Sequence, residues 1–440
     1  MLTQYYNHNL FKDKLSTFNR TDPHLRALAQ LKYQHSSNWW KQLSLTVPGI
    51  YILTGGRQIG KSTSCKLLIK HCLVNKLCKA ENIFYLPCDE IYDAKELSRV
   101  LRFFLESTAS DKFLLIIDEI TYVPHWDRVI KSLADEGYFT RGLAILTGSD
   151  SVILKEAAMS FPGRRGRATQ VDFHLYPLTF SEYVRLISQN SKPNNEKLAI
   201  FFHDYLICGG YLRAINDLAQ YGEISSATFL TYEQWIRGDF LKRGKKESYL
   251  LALLHALMTV GISQISFSGL TQKIGSMSKE TCIDYIRLLE SMDVLIDLQA
   301  FDQNKKQGFP RKDRKFHFFD PFIHRTVSQW LIREGYLNGF DAEATLVEAC
   351  VASHCYRFGK TFYFKGQAEI DVIWLHDKKF QAIEVKWSNQ LRPNDFKMLK
   401  QFDNSLILGK TNQVGFIENV KVMPVYQFLN QNSLIKLKIT

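Results

Sequence analysis

Two groups of residues in this 440-residue chain have the types and spacing for chemistry on phosphate. The first is Gly55-Gly56-Arg57-Gln58-Ile59-Gly60-Lys61-Ser62, followed by Thr63, which fits G-x-x-x-x-G-K-[ST]. Gly55 and Gly60 let the backbone curl so that successive N–H groups point inward at an anion. Lys61 would reach the β- and γ-phosphates of a nucleotide, and Ser62 would ligate Mg²⁺. The plainer reading is a Gly-rich turn that happens to end in Lys-Ser. Asp118-Glu119 supplies what such a turn would lack, because it ends the apolar run Leu114-Leu-Ile-Ile. An Asp there can hold Mg²⁺ through water, and Glu119 can orient and deprotonate the attacking water. ATP with Mg²⁺ is therefore the expected cofactor, and hydrolysis the expected reaction. In Leu146-Thr147-Gly148-Ser149, the hydroxyl of either Thr147 or Ser149 fits a γ-phosphate sensor. Among Arg164, Arg165 and Arg167, one is a candidate arginine finger, in cis or from a neighbouring subunit; a solvated basic loop is the alternative.

The second group is Asp371, in Glu369-Ile-Asp-Val-Ile, and Glu384-Val-Lys386. Residues two apart on a strand share a face, so Glu384 and Lys386 stand together. A hairpin between the two strands would bring Asp371 near them. Two carboxylates and a lysine are what metal-assisted phosphodiester cleavage requires. Asp371 and Glu384 would bind one or two Mg²⁺ ions, with Mn²⁺ an alternative, and Lys386 would position or activate the water. The competing reading is ordinary charges on edge strands, in a domain that binds DNA or protein without cutting.

The first group needs a strand before it and a helix after it. Residues 50–54 are apolar and β-branched, and residues 63–73 have helical character. Further strands are expected at 83–86, 113–117 and 143–146, alternating with helices at 94–106 and 125–136, which predicts a parallel sheet covered on both faces. Residues 1–45 read as helical and packed on this core, with Asp22-Pro23 opening a segment. Residues 171–240 read as mainly helical, with Ser181 a candidate N-cap. Residues 248–320 run helix, helix, helix and two extended stretches, the order of a winged helix, with 279–292 as recognition helix and 305–315 in the wing. The second group needs the helix at 343–358 and strands at 361–365, 369–375 and 380–386, then a helix at 394–402 and a strand at 405–408.

A 45% apolar fraction is that of a globular chain, and no run approaches the roughly 18–20 apolar residues of a membrane span. The N-terminal stretch lacks a continuous apolar h-region, so a cytoplasmic protein is expected, with no membrane partner. Eight scattered cysteines without a CxxC pair read as reduced, mostly buried thiols. Cys350 and Cys355 are too few for an iron–sulfur cluster. The net charge of +12 and pI near 9.1 favour a polyanionic partner.

The whole arrangement resembles a family of bacterial and archaeal AAA+-like ATPases that pair the ATPase with a C-terminal domain related to the PD-(D/E)xK nucleases. The matching residues are Gly55 to Ser62, Ile117-Asp-Glu-Ile120, Leu146-Thr-Gly-Ser149, Gly163-Arg164 and Leu175-Tyr-Pro-Leu-Thr-Phe-Ser-Glu-Tyr183. Where the family has Gly-Gly-Tyr-Pro, this chain has Gly209-Gly210-Tyr211-Leu212. The resemblance implies an α/β protein with a P-loop AAA+-like parallel-sheet core (46–170) after the N-terminal segment (1–45), a helical lid (171–244), a winged helix (245–325) and a nuclease-like α/β domain (326–440). It also implies Glu348 as a further acidic metal ligand, Arg164 among the nucleotide-site residues with the finger left open among the three arginines, nucleotide-controlled conformational change, and self-assembly into a homo-oligomer. The expected function is an ATP-hydrolysing protein acting on DNA, with metal-dependent cleavage by the C-terminal domain. The alternative is a nucleotide-controlled switch or scaffold whose nuclease-like domain is inert.

Overall fold

The computed structural model describes residues 3–431 except 13–14, 36, 38, 109–111, 149–153, 155–160, 162, 190, 340–342, 377, 389–395, 397 and 412. The chain forms two compact units, Met1–Tyr176 and Pro177–Thr440.

The first unit is built on five strands: β1 (Gly49–Gly55), β2 (Ile83–Pro87), β3 (Leu114–Asp118), β4 (Leu143–Thr147) and β5 (Asp172–Leu175). Their order is β2-β3-β4-β1-β5, and every pairing is parallel. Side chains alternate between two cores, one on each face. Ile50, Ile52, Leu115, Ile117, Ala144 and Leu146 enter one; Tyr51, Leu53, Leu114, Ile116, Leu143 and Ile145 enter the other. That division explains why the strands read as continuous apolar runs. The sheet also extends past residue 170, because β5 pairs with β1.

The N-terminal segment belongs to this unit. Asp22 caps the helix Pro23–Ala29, accepting from the His24 and Leu25 amides. Its other oxygen lies 3.2 Å from the fully buried ammonium of Lys66, which also donates to the His8 carbonyl and sits 3.6 Å above the Tyr85 ring.

The second unit opens with four helices, Phe180–Ile187, Asn195–Cys208, Leu212–Tyr221 and Ser226–Lys242. The first begins at Thr179, not Ser181: Thr179 and Glu182 form a reciprocal capping box, the S/T-x-x-E pattern that decides the start. Three more helices, Glu247–Val260, Phe267–Ile274 and Lys279–Ser291, lead to an antiparallel hairpin of β6 (Leu295–Asp302) and β7 (Gln307–Phe318). After the helices Pro321–Arg333 and Glu343–Phe358 come β8 (Thr361–Lys365), β9 (Glu369–His376), β10 (Lys379–Lys386), β11 (Ser405–Gly409), β12 (Gly415–Ile417), β13 (Val420–Pro424) and the helix Val425–Gln431. Of the helix expected at 394–402, residues 394, 395 and 397 lie outside the described residues, and Leu399–Gln401 is a 3₁₀ turn.

The hairpin does not stand apart as a separate wing. A parallel bridge at Ala300 and Tyr363 joins β6 to β8, giving one sheet of order β12-β13-β11-β10-β9-β8-β6-β7. Residues 245–325 and 326–440 therefore share a sheet. The Gly209-Gly210 turn is a joint of the same unit. Leu178 N donates to Gly210 O at 2.8 Å, Gly210 N donates to Asp320 Oδ2 at 2.9 Å, and Asp320 caps Pro321–Arg333. All eight cysteines are free thiols, seven of them buried. Among the described residues no single helix is long and apolar enough to cross a membrane.

Candidate functional site

The loop Gly55–Ser62 joins β1 to the helix Lys61–Val74. Gly55 (φ +144°) is packed so closely that a Cβ would lie 2.4 Å from the Leu175 carbonyl, and Gly60 (φ +90°) precedes the helix in the left-handed region. These two backbone demands explain both glycines. Lys61 folds back over the loop, donating to Gly55 O at 3.0 Å and Gly56 O at 2.9 Å, with Glu119 Oε1 3.4 Å away. Arg57 donates to the Tyr122 hydroxyl at 3.1 Å.

Asp118 ends β3, and the parallel sheet brings its carboxylate to the loop. Ser62 Oγ donates to Asp118 Oδ2 at 2.6 Å. Tyr85, from β2, donates to the same oxygen, and Thr147, from β4, donates to Oδ1. Thr147 Oγ1 also accepts from the Glu119 amide at 3.0 Å, so one hydroxyl links both acidic residues. Glu119 occupies the left-handed region (φ +53°), a conformation that the surrounding bonds must hold. Burial and the Asp118 charge push the Tyr85 phenol well above its ordinary range, so it stays a donor. Ser62 and Asp118 together offer hard oxygen ligands, which suit Mg²⁺.

Two sequence expectations meet different outcomes here. Ser149 lies outside the described residues. Arg164 pairs with Asp135, and Arg165 with Asp172, while Arg167 is exposed. Tyr85 carries no signal in the sequence beyond a hydroxyl in an otherwise apolar strand.

The second group also converges. Ile383 pairs with Val372, so Glu384 and Asp371 follow on facing strands. Lys386 Nζ lies 2.8 Å from Glu384 Oε1, Val385 N donates to Asp371 Oδ2 at 2.9 Å, and Glu348 is buried on the adjoining helix. Burial, and then the Asp371 charge, hold the Glu348 and Glu384 carboxyls above the ordinary carboxylate range. The residue that sequence reasoning misplaces is Lys315. The pattern puts it in a basic wing, yet it is 1% exposed and its ammonium meets Glu369 Oε1 at 2.6 Å, Glu348 Oε1 at 2.9 Å and Asp371 Oδ1 at 3.1 Å. Among the described residues no group of three or more His, Cys, Asp or Glu is arranged to hold a metal ion. Lys315 therefore stands among Glu348, Glu369 and Asp371, where the sequence pattern predicts a metal held by Glu348, Asp371 and Glu384.

Residues 48–184 match the family described as an AAA domain, and residues 201–331 and 343–428 match two domains of unknown function. An uncharacterised protein of Haemophilus influenzae is 23% identical over 404 residues, covering 87% of this chain and 94% of its own length. An uncharacterised protein of Methanocaldococcus jannaschii is 25% identical over 342 residues, covering 71% and 68%. Among solved structures, a Walker-type ATPase of Pyrococcus abyssi is similar with a TM-score of 0.45 and 14% identity, covering 66% of this chain and 94% of its own. The ORC2 protein of Aeropyrum pernix, in ADPNP and ADP complexes, has a TM-score of 0.39 and 12% identity, covering 68% and 92%. The AAA-domain match covers the phosphate loop and the five-stranded parallel sheet, which have the arrangement of a P-loop nucleotide-binding fold.

Proposed function

We propose that this chain binds ATP with Mg²⁺ at Gly55–Ser62, hydrolyses it, and uses the cycle to change how it holds DNA. The observation that carries the reading is the 2.6 Å bond from Ser62 to Asp118, with Glu119 beside Lys61. Ser62 and Asp118 would hold the metal, which neutralises phosphate charge. Lys61 would exchange its two loop carbonyls for the β- and γ-phosphates. Glu119 would orient the attacking water, and Thr147 would keep Asp118 and Glu119 in register. An arginine from the 164–167 loop of a second copy would complete the site, which would make the active form a homo-oligomer.

DNA is favoured as the polyanion by the net charge of +12 and by exposed Lys305, Lys306, Arg311 and Lys312 on the β6–β7 hairpin. In the winged-helix reading this hairpin is the wing. The outer face of Lys279–Ser291 mixes Lys279 and Arg287 with Glu280 and Asp284, so the hairpin, not the helix, would make the main phosphate interactions. Metal-dependent cleavage, the other reading, has the adjacency of Asp371, Glu384 and Lys386 in its favour and Lys315 against it.

The test is ATPase turnover and duplex binding on the purified chain. Lys61→Ala should remove turnover. The double variant Lys305→Ala/Lys306→Ala should weaken duplex binding and lower the salt slope by roughly two, about one for each phosphate no longer neutralised. Absence of any duplex binding at low salt would falsify the DNA part and leave the ATPase part standing.

A further inference from the structure

We infer that the ammonium of Lys315, not a divalent metal, is the resident cation of the carboxylate cluster in the second unit. An ammonium has three N–H donors, and here three carboxylate oxygens lie 2.6, 2.9 and 3.1 Å from it, from Glu369, Glu348 and Asp371. Its donors are used up, and its side chain is 1% exposed.

The oxygens tell the same story. Asp371 spends Oδ1 on Lys315 and Oδ2 on the Val385 amide. Glu348 spends Oε1 on Lys315, and Glu384 spends Oε1 on Lys386. Only Glu384 Oε2 is buried with no hydrogen-bond partner among these acids. A metal ion bridging Asp371 and Glu348 would have to share their oxygens with a buried positive charge about 3 Å from them, and the repulsion at that range in a poorly solvated site is large. Positive charge is already present without it, with three ammonium groups facing four carboxyls. Lys315, Lys386 and, more loosely, Lys365 stand against Glu348, Glu369, Asp371 and Glu384. The residues therefore do not fit the one- or two-metal arrangement that the Asp371, Glu384 and Lys386 spacing suggests.

The position of Lys315 gives it a second consequence. It lies on β7, whereas its three partners lie on the helix Glu343–Phe358 and on β9. The strand β7 is separated from β9 by β6 and β8 in the sheet order. One ammonium thus ties the hairpin to the helix and to β9, in a place where a catalytic centre would need a labile ligand. Lys315 plays this part whether or not the chain binds DNA.

Manganese titration distinguishes the two occupants, followed by loss of the free Mn²⁺ electron paramagnetic resonance signal without nucleotide. Wild type and Asp371→Asn should bind the same number of Mn²⁺ equivalents. Lys315→Met should gain one equivalent, and adding Asp371→Asn to it should remove the gain. A wild-type equivalent that Asp371→Asn abolishes overturns the inference, as does a folded Lys315→Met that gains none. Crystals of the unsubstituted chain soaked in Mn²⁺ ask the same question without any variant. An anomalous peak between Asp371 and Glu384 overturns the inference, and no peak there supports it.

Discussion

Asp118 is held by three hydroxyls that come from three places: Ser62 from the phosphate loop, Tyr85 from β2 and Thr147 from β4. A buried carboxylate with three donors is fixed in direction, and a ligand fixed in direction loses less on binding a metal. Tyr85 touches neither nucleotide nor water in this scheme, so it is a positioning residue. Tyr85→Phe keeps the ring that packs under Lys66 and removes only the donor. The Mg²⁺ concentration for half-maximal ATP hydrolysis should rise about tenfold or more, since losing a partner of a metal ligand typically weakens metal affinity by roughly 10–100-fold. A titration of ATPase rate against Mg²⁺ checks this, and an unchanged midpoint would take Tyr85 out of the site. The loop itself was legible in the sequence because its chemistry is contiguous: eight residues carry the whole phosphate cradle. Tyr85 was not, because it is 33 residues from Asp118 and only the β2–β3 pairing brings them together.

Among the elements, the Gly209-Gly210 turn shows how a motif can be legible and its purpose not. The sequence shows the glycine pair but not that both glycines lie against residues of their own unit. A Cβ on Gly210 would come 2.1 Å from the Leu178 carbonyl and 2.5 Å from its nitrogen, and one on Gly209 would meet the Asp320 carboxylate. The turn lets the chain before Phe180–Ile187 and the start of Pro321–Arg333 close on one another. Gly210→Ala should therefore destabilise the protein by about 1–3 kcal/mol, the usual range for forced overpacking, and more if the Leu178 backbone resists. Gly238 supplies the opposite sign. It lies inside the helix Ser226–Lys242 with nothing within 4 Å of a built Cβ, so Gly238→Ala should stabilise by about 1 kcal/mol from helix propensity alone. Denaturant midpoints of the two variants check the pair, and destabilisation by both would mean that Gly238 has a role in packing.

Over the whole molecule, local patterns carried much and pairings across the sheet carried little in the sequence. Lys315 read as one of a run of wing charges because Arg311, Lys312 and Arg314 surround it; burial beside Glu348 is decided by strands and a helix 33 to 56 residues further on. The buried histidines were invisible for the same reason. His317, His324 and His354 all lie in the second unit, and burial, the largest influence on each, pushes each down to about 3. Below the ordinary value near 6.5 the unfolded chain takes up protons that the folded unit refuses. Their stabilisation is complete above about pH 6.5 and falls as pH drops toward 3. At pH 5 each histidine should have cost about 2 kcal/mol relative to neutral pH. Asp297 and Asp320 work in the opposite direction, because burial raises both to about 6 and the folded state gains their protons first. A raw pH curve therefore mixes signs, and a single substitution separates them. His354 lies among the rings of Phe358, Trp374 and Phe428, where a phenyl ring is a near fit. Between pH 7.5 and pH 5, His354→Phe should lose about 2 kcal/mol less unfolding free energy than wild type, measured by denaturant melts at both values. Equal losses would mean that the folded protein accepts a proton at His354.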